Sequence, residues 1–354
     1  MLSRLTSLLT HTFKMFCLGI LLWTACGCSR QKGEIPNPQN AMYYWRQELK
    51  LSEAERSFIN RQKVGKVYLH LFDVVRRNGE LSPSTTLAFT DTFPEQMEVI
   101  PTVFMAVNVM NDTTGLSALP QLIARRVVQM MKQNGLPLPT ELQIDFDWTR
   151  RNQERYFKFL IELHKAFEKE GGSKLSATIR LHQLGMKAPP VDYGALMVYN
   201  VGNLSDFDEE CSILTKRRIE PYLRYLPRYS LPLCVALPVY SWNLLFHDKK
   251  FTCILRGVDI GDTARFKPID ESHYLSVDYQ PIPPTGVAMR GEGRIFPGDI
   301  VRHEFVPTDV LMDVRRTLAD LRPGMCDQVI LYHLDENQLK QYSNETLQTL
   351  FSGH

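Results

Sequence analysis

The 354-residue chain lacks an excess of charge of either sign, since 41 Lys and Arg face 39 Asp and Glu for a formal net of +2. That near-neutral balance argues against nucleic acid as a partner, which calls for a basic face or stripe. Cysteine is scarce, seven in all, and Cys211, Cys234, Cys253 and Cys326 show neither metal-ligand nor CxxC spacing. Because Cys234 and Cys253 sit in apolar, strand-like runs, these cysteines are expected to be core residues and not bridges. Absent as well are a Gly-x-Ser-x-Gly elbow, a His-Glu-x-x-His pair, a Gly-x-Gly-x-x-Gly turn after a strand and a P-loop. Esterase, zinc-protease, dinucleotide and nucleotide chemistries therefore lack support, and no cofactor is expected. A metal held by Asp145, Asp147, His182 and His303 would draw ligands from separate strands with no diagnostic spacing, so no metal is expected either.

What is present begins with Arg4 and Lys14 ahead of an apolar run over 15–25, too short to span a bilayer but the right length for a secretory signal. The run ends in Ala25-Cys26-Gly27-Cys28, which resembles a bacterial lipobox. The sequence thus predicts a signal peptide over 1–27 and lipidation of Cys28, with Cys26 as the alternative. The following stretch to Asn40 is polar and rich in Gly, Pro and Gln, so 28–55 reads as a tether between membrane and domain. The expected location is a lipoprotein anchored in the outer membrane, on its periplasmic or cell-surface face.

Strand-like apolar runs recur at 64–74, 99–109, 142–148, 175–181, 196–200, 233–240, 300–305 and 329–334. Segments of helical period separate most of them, at 119–133, 150–169, 205–225, 308–321 and 336–351. Eight strand–helix units in roughly 300 residues favour closure into one α/β barrel, a (β/α)8 or TIM barrel over 56–354, above an open sheet. Residues 243–298 are rich in Pro and Gly and contain short β-like pieces, so they read as an irregular, β-containing insertion near the barrel mouth.

Strands buried on both faces should be apolar throughout, yet 143–148 reads Gln-Ile-Asp-Phe-Asp-Trp. Alternation points Gln143, Asp145 and Asp147 inward and Ile144, Phe146 and Trp148 toward helices. Two carboxylates near the C-terminal end of a barrel strand occupy the usual place of an active site. On the next strand Ser176, Thr178, Arg180 and His182 share one polar face. Arg180 would neutralise the acids, as a structural counter-ion or a substrate contact, and His182 would reach the mouth.

Here the sequence resembles the family-eighteen glycoside hydrolases, the chitinases and their relatives, whose barrel carries Asp-Gly-x-Asp-x-Asp-x-Glu at one strand end. Asp145-Phe146-Asp147-Trp148 matches the Asp-x-Asp-x portion, but Thr149 stands where the family has its catalytic glutamate. A second family motif, Met-x-Tyr-Asp, is approximated by Met197-Val198-Tyr199-Asn200. The resemblance implies that Tyr199 and Asn200 line a sugar subsite. The chain is also similar to lipoproteins of gut Bacteroidetes with divergent barrels of this type.

Cleavage of a glycoside by this route needs a carboxylic acid beside the leaving oxygen. Substitutes must come from other strand ends. Glu304, after His303, is the preferred acid. Asp335 and Glu336 beside His333, and Asp73 with His70, are further candidates, although Asp335 could equally cap the last helix. Tyr240 and Trp242 share a strand face and suit stacking on a pyranose. Two functions remain open: glycan hydrolysis with Asp145, Asp147 and Glu304 as the acid/base group, or non-catalytic glycan binding after loss of the glutamate. Either implies a carbohydrate ligand, with the membrane reached through the lipid anchor.

Overall fold

The computed structural model describes residues 37–282, 287–288 and 293–353. Eight parallel strands form its wall: β1 Ala41–Tyr44, β2 Lys66–Arg77, β3 Glu98–Met105, β4 Glu141–Phe146, β5 Lys174–Arg180, β6 Tyr193–Met197, β7 Leu233–Pro238 and β8 Val329–Tyr332. The sheet closes because Ala41 of β1 lies beside both Lys66 of β2 and Ile330 of β8. The helices are α1 Glu53–Arg61, α2 Leu119–Gln133, α3 Gln153–Lys169, α4 Lys216–Leu223, α5 Thr308–Leu321, α6 Glu336–Leu339 and α7 Asn344–Ser352. The architecture is the (β/α)8 barrel that alternation of runs predicts.

Several expectations change. Residues 41–55, read as tether, contain β1 and the start of α1. All four β1 residues are buried, but Ala-Met-Tyr-Tyr is too short to stand out beside the polar stretch before it. Ser52 with Glu55 forms a capping box at α1. The expected signal peptide, Cys26 and Cys28 lie outside the described residues.

The run 300–305 is the second change. It is not a wall strand: Ile300–Glu304 pairs antiparallel with Trp242–His247 and with His273–Ser276 in a separate six-stranded sheet. This sheet is the expected insertion between β7 and α5, and it has its own small core of Leu245, Cys253, Leu255, Phe266, Ile295 and Val301. An apolar run looks alike in a parallel wall and in the middle of an antiparallel sheet, so periodicity could not separate the two. The helix expected over 205–225 is real only at Lys216–Leu223, and 336–351 is two helices broken at Ser343, which caps the second.

Polar side chains fill the barrel interior in layers along β4. At the base, Glu141 accepts from the Ser176 and Tyr193 hydroxyls, each at 2.6 Å. Tyr193 meets Tyr68 at 2.8 Å, and Gln328 links Tyr68 to the buried Lys66 ammonium. One layer up, the Tyr43 hydroxyl donates to Gln143 at 2.8 Å. Above these layers the strands open into a cleft.

Candidate functional site

The last inward residue of β4, Asp145, is 4% exposed. Its Oδ1 accepts from the Thr178 hydroxyl at 2.6 Å and from the Arg180 guanidinium at 2.8 Å, both on β5. Alternation on the two strands and their parallel register bring these three groups together. Burial works against the charged guanidinium of Arg180, but Asp145, with Tyr199 and Asp147 behind it, outweighs that and raises its pKa. Arg180 also touches the Met197 sulfur of β6. The counter-ion role foreseen for Arg180 is therefore present in the geometry.

Asp147 lies beyond the strand end and is half-exposed. Its Oδ1 accepts from Gln183 at 3.3 Å and stands 3.4 Å from His182 Nε2. Trp148 turns outward and is fully buried, edge-on to Phe157 of α3 at 5.3 Å. Thr149 is exposed, and its backbone N–H donates to the Asn152 side chain at 2.7 Å.

These residues line one lobe of the cleft, a cavity of about 610 Å³ that also takes in Tyr199, Asn200 and Tyr332. The Tyr199 hydroxyl is buried with no hydrogen-bond partner among the described residues, and burial raises its pKa well above the ordinary value. Asn200 adopts a left-handed backbone at φ 55°, and its Oδ1 accepts from the Tyr240 hydroxyl at 2.6 Å. A second lobe of about 830 Å³ opens toward the insertion and is lined by Tyr240, Trp242, Arg256, His333 and Asp335, among others. Trp45, Asp73, Asn200 and Tyr332 border both lobes, so the two are halves of one cleft across the C-terminal strand ends. Its floor is aromatic: Tyr332 lies 5.2 Å from Tyr199 and 6.2 Å from Trp45, centroid to centroid.

The structure gives Glu304 a different task from the one expected. It is 2% exposed and borders neither lobe. Its Oε2 accepts from the Ser212 N–H at 2.8 Å, the Ser212 hydroxyl at 2.6 Å and the Trp242 indole at 2.9 Å, while Oε1 accepts from Arg302 at 2.8 Å. A carboxylate with four donors, one of them a fully buried guanidinium, fastens the insertion to the barrel loops and stands outside both lobes. His303 also turns away from the cleft: its Nδ1 meets Asn243 at 2.7 Å, and burial lowers its pKa. It therefore does not complete a metal set with Asp145, Asp147 and His182.

Asp335 borders the second lobe but caps α6, accepting from the Asn337 and Gln338 N–H groups at 2.9 and 3.3 Å. It also sits 3.4 Å from Arg46. Trp45 and Tyr332 were not foreseen as floor residues. Trp45 was hidden in the supposed tether, and Tyr332 had only its place at a strand end as a signal. A separate apolar cavity of about 260 Å³, between α2 and the antiparallel strand Glu80–Ser84 that folds back on β2, is lined by Leu81, Leu119, Leu122 and Ile123 and lies outside this cleft.

The fold defines the class: a (β/α)8 barrel of the kind seen in family-eighteen chitinases. No family model matches the sequence, and no curated protein matches it. Among solved structures, the chain is similar to the spore cortex-lytic enzyme SleL of Bacillus cereus, with a TM-score of 0.53 at 12% identity over 88% of this chain and 73% of that one. A chitinase from Chromobacterium violaceum gives 0.51 at 12% identity, covering 89% and 98% of the two chains. A GH18 chitinase from Cycas revoluta in complex with (GlcNAc)3 gives 0.50 at 13%, covering 89% and 99%. At such identities the likeness is one of fold.

Proposed function

We propose that this chain is an exported lipoprotein that holds a β-linked glycan, such as an N-acetylglucosamine oligomer, in the cleft without cleaving it. One observation carries the reading: every carboxylate lining the cleft already has a basic partner. Asp145 has Arg180 at 2.8 Å, Asp147 has His182 at 3.4 Å, Asp73 has His70 at 2.7 Å and Asp335 has Arg46 at 3.4 Å. A general acid must stand free to reach the leaving oxygen, and each of these carboxylates is already engaged by a basic side chain. Thr149 at the end of β4 and the fully bonded Glu304 supply no replacement. The partly exposed Tyr332 and Trp45 rings give flat surfaces for sugar faces, and Asp147, His182 and Asn200 give polar edges. The bound (GlcNAc)3 in the Cycas chitinase structure supports the choice of ligand class.

A second reading, hydrolysis, rests on Asp147. Its Oδ2 carries no hydrogen bond among the described residues, at the strand end where barrel enzymes place their chemistry. Titrating the purified chain with a panel of β-linked oligosaccharides, following heat and reducing ends together, separates the two. Saturable heat with unchanged oligomers supports binding. Product that disappears in Asp147→Asn supports hydrolysis, and neither signal with any oligomer removes the carbohydrate reading. Membrane anchoring is checked by labelled palmitate, whose incorporation should be lost in Cys28→Ser and kept in Cys26→Ser.

A further inference from the structure

The two lobes meet over a narrow set of residues, and Asp73 is the only carboxylate in that set. It comes from β2, two strands along the wall from the Asp145–Asp147 pair of β4 with only β3 between them, and its side chain is 19% exposed. Its Oδ1 is 2.7 Å from His70 Nε2. His70 is 3% exposed, and its ring stacks on Trp45 at 4.5 Å and 25° between planes. Asp73 Oδ2 has no hydrogen bond among the described residues.

This is the geometry of an acceptor held in place. The buried imidazole fixes one oxygen, the stacked indole fixes the imidazole, and the second oxygen is left open where a ligand must cross from one lobe to the other. Fixing the rotamer in advance removes an ordering cost that an exposed aspartate would incur on binding. A carboxylate oxygen can only accept, so the group it selects must donate a hydrogen bond.

Resting on the carbohydrate-binding reading above, we infer that Asp73 is a specificity-determining contact of the cleft, positioned by His70, that accepts from a hydroxyl or amide N–H of the sugar unit crossing between the lobes. The ligand therefore spans both lobes, as an oligosaccharide of at least two units. A monosaccharide reaches only one lobe, and a ligand without a donor at the crossing unit leaves the carboxylate desolvated and unpaired.

The test is calorimetric titration of the full chain with N-acetylglucosamine, its dimer and its tetramer, for wild type, Asp73→Asn, Asp73→Ala, His70→Gln and Tyr332→Ala, with thermal melting of each. Asp73→Ala should weaken the tetramer by about tenfold or more, the usual effect of losing a charge-assisted hydrogen bond. Asp73→Asn, which keeps the shape and one acceptor oxygen, should fall between it and wild type. His70→Gln should weaken the tetramer severalfold, and in the double variant with Asp73→Ala the two effects should not add, because His70 acts through Asp73. A merely structural role for His70 would lower the melting temperature and add to Asp73→Ala. If the Asp73 variants melt as wild type and bind the tetramer equally well while Tyr332→Ala loses it, the inference on Asp73 fails and the binding reading stands. If wild type binds none of the three sugars, both fail.

Discussion

Glu141 begins β4 and Asp147 follows its end, and their surroundings differ. Glu141 is 3% exposed, bonded at 2.6 Å to each of two hydroxyls, and linked through Tyr193 and Tyr68 to Gln328. Burial raises its pKa despite those hydrogen bonds. Asp147 is half-exposed, with longer contacts to Gln183 and His182. The base of the barrel is closed by a satisfied polar network. The mouth is polar too, but its groups are left with open positions, such as the Tyr199 hydroxyl and one oxygen each of Asp73 and Asp147. The difference shows that a buried carboxylate in a barrel strand is no guide to function until its partners are known.

Breaking the ion pair that lies between base and mouth should cost most. Arg180→Ala leaves Asp145 buried without its cation, and the expected loss is about 3–5 kcal/mol, measured by urea denaturation. A loss under about 1 kcal/mol would mean that solvent already screens the pair. At the base, Glu141→Ala strands the Ser176 and Tyr193 hydroxyls and should cost about 2–3 kcal/mol, with oligosaccharide affinity unchanged once the variant is folded. An affinity change as large as that of Asp73→Ala would erase the distinction between base and mouth.

His333 sharpens the comparison through pH. Burial, opposed by Asp335 and reinforced by Arg46 and Arg256, pushes its pKa from 6.5 down to about 4. Above 6.5 neither state holds the proton. Between 6.5 and about 4 the unfolded chain takes one up and the folded chain does not, so stability contributed at neutral pH is lost as pH falls through this window. His333→Gln should flatten that part of the denaturation profile, and an unchanged slope would show that His333 titrates normally. The smallest effect is expected at Asp147: Asp147→Asn should change stability by no more than about 0.5 kcal/mol, as befits a half-exposed pair, while weakening the oligosaccharide severalfold.

Much of this was legible in the residues. Period-2 alternation over 143–148 and 174–182 placed Asp145 and Arg180 face to face, and the recurring runs gave seven of the eight wall strands. Ala41–Tyr44 escaped because four residues carry too little periodicity. Glu304 was misjudged because its neighbours Ser212 and Arg302 become partners only through the insertion sheet and the loop before α4, a long-range placement that spacing does not encode. The sequence suits Asp335 to either site or cap, and its N–H partners show the cap. The floor residue Tyr332 had a strand-end position to mark it, but nothing local says which face a strand-end tyrosine takes.

The most direct measurement is a crystal structure of the chain with an N-acetylglucosamine tetramer. The expected result is an unbroken oligosaccharide lying across Tyr332, with one unit between Asp73 and Asp147 and its neighbours in the two lobes. Sugar bound elsewhere on the barrel, or a tetramer cut at the crossing, would contradict a cleft that holds its glycan intact.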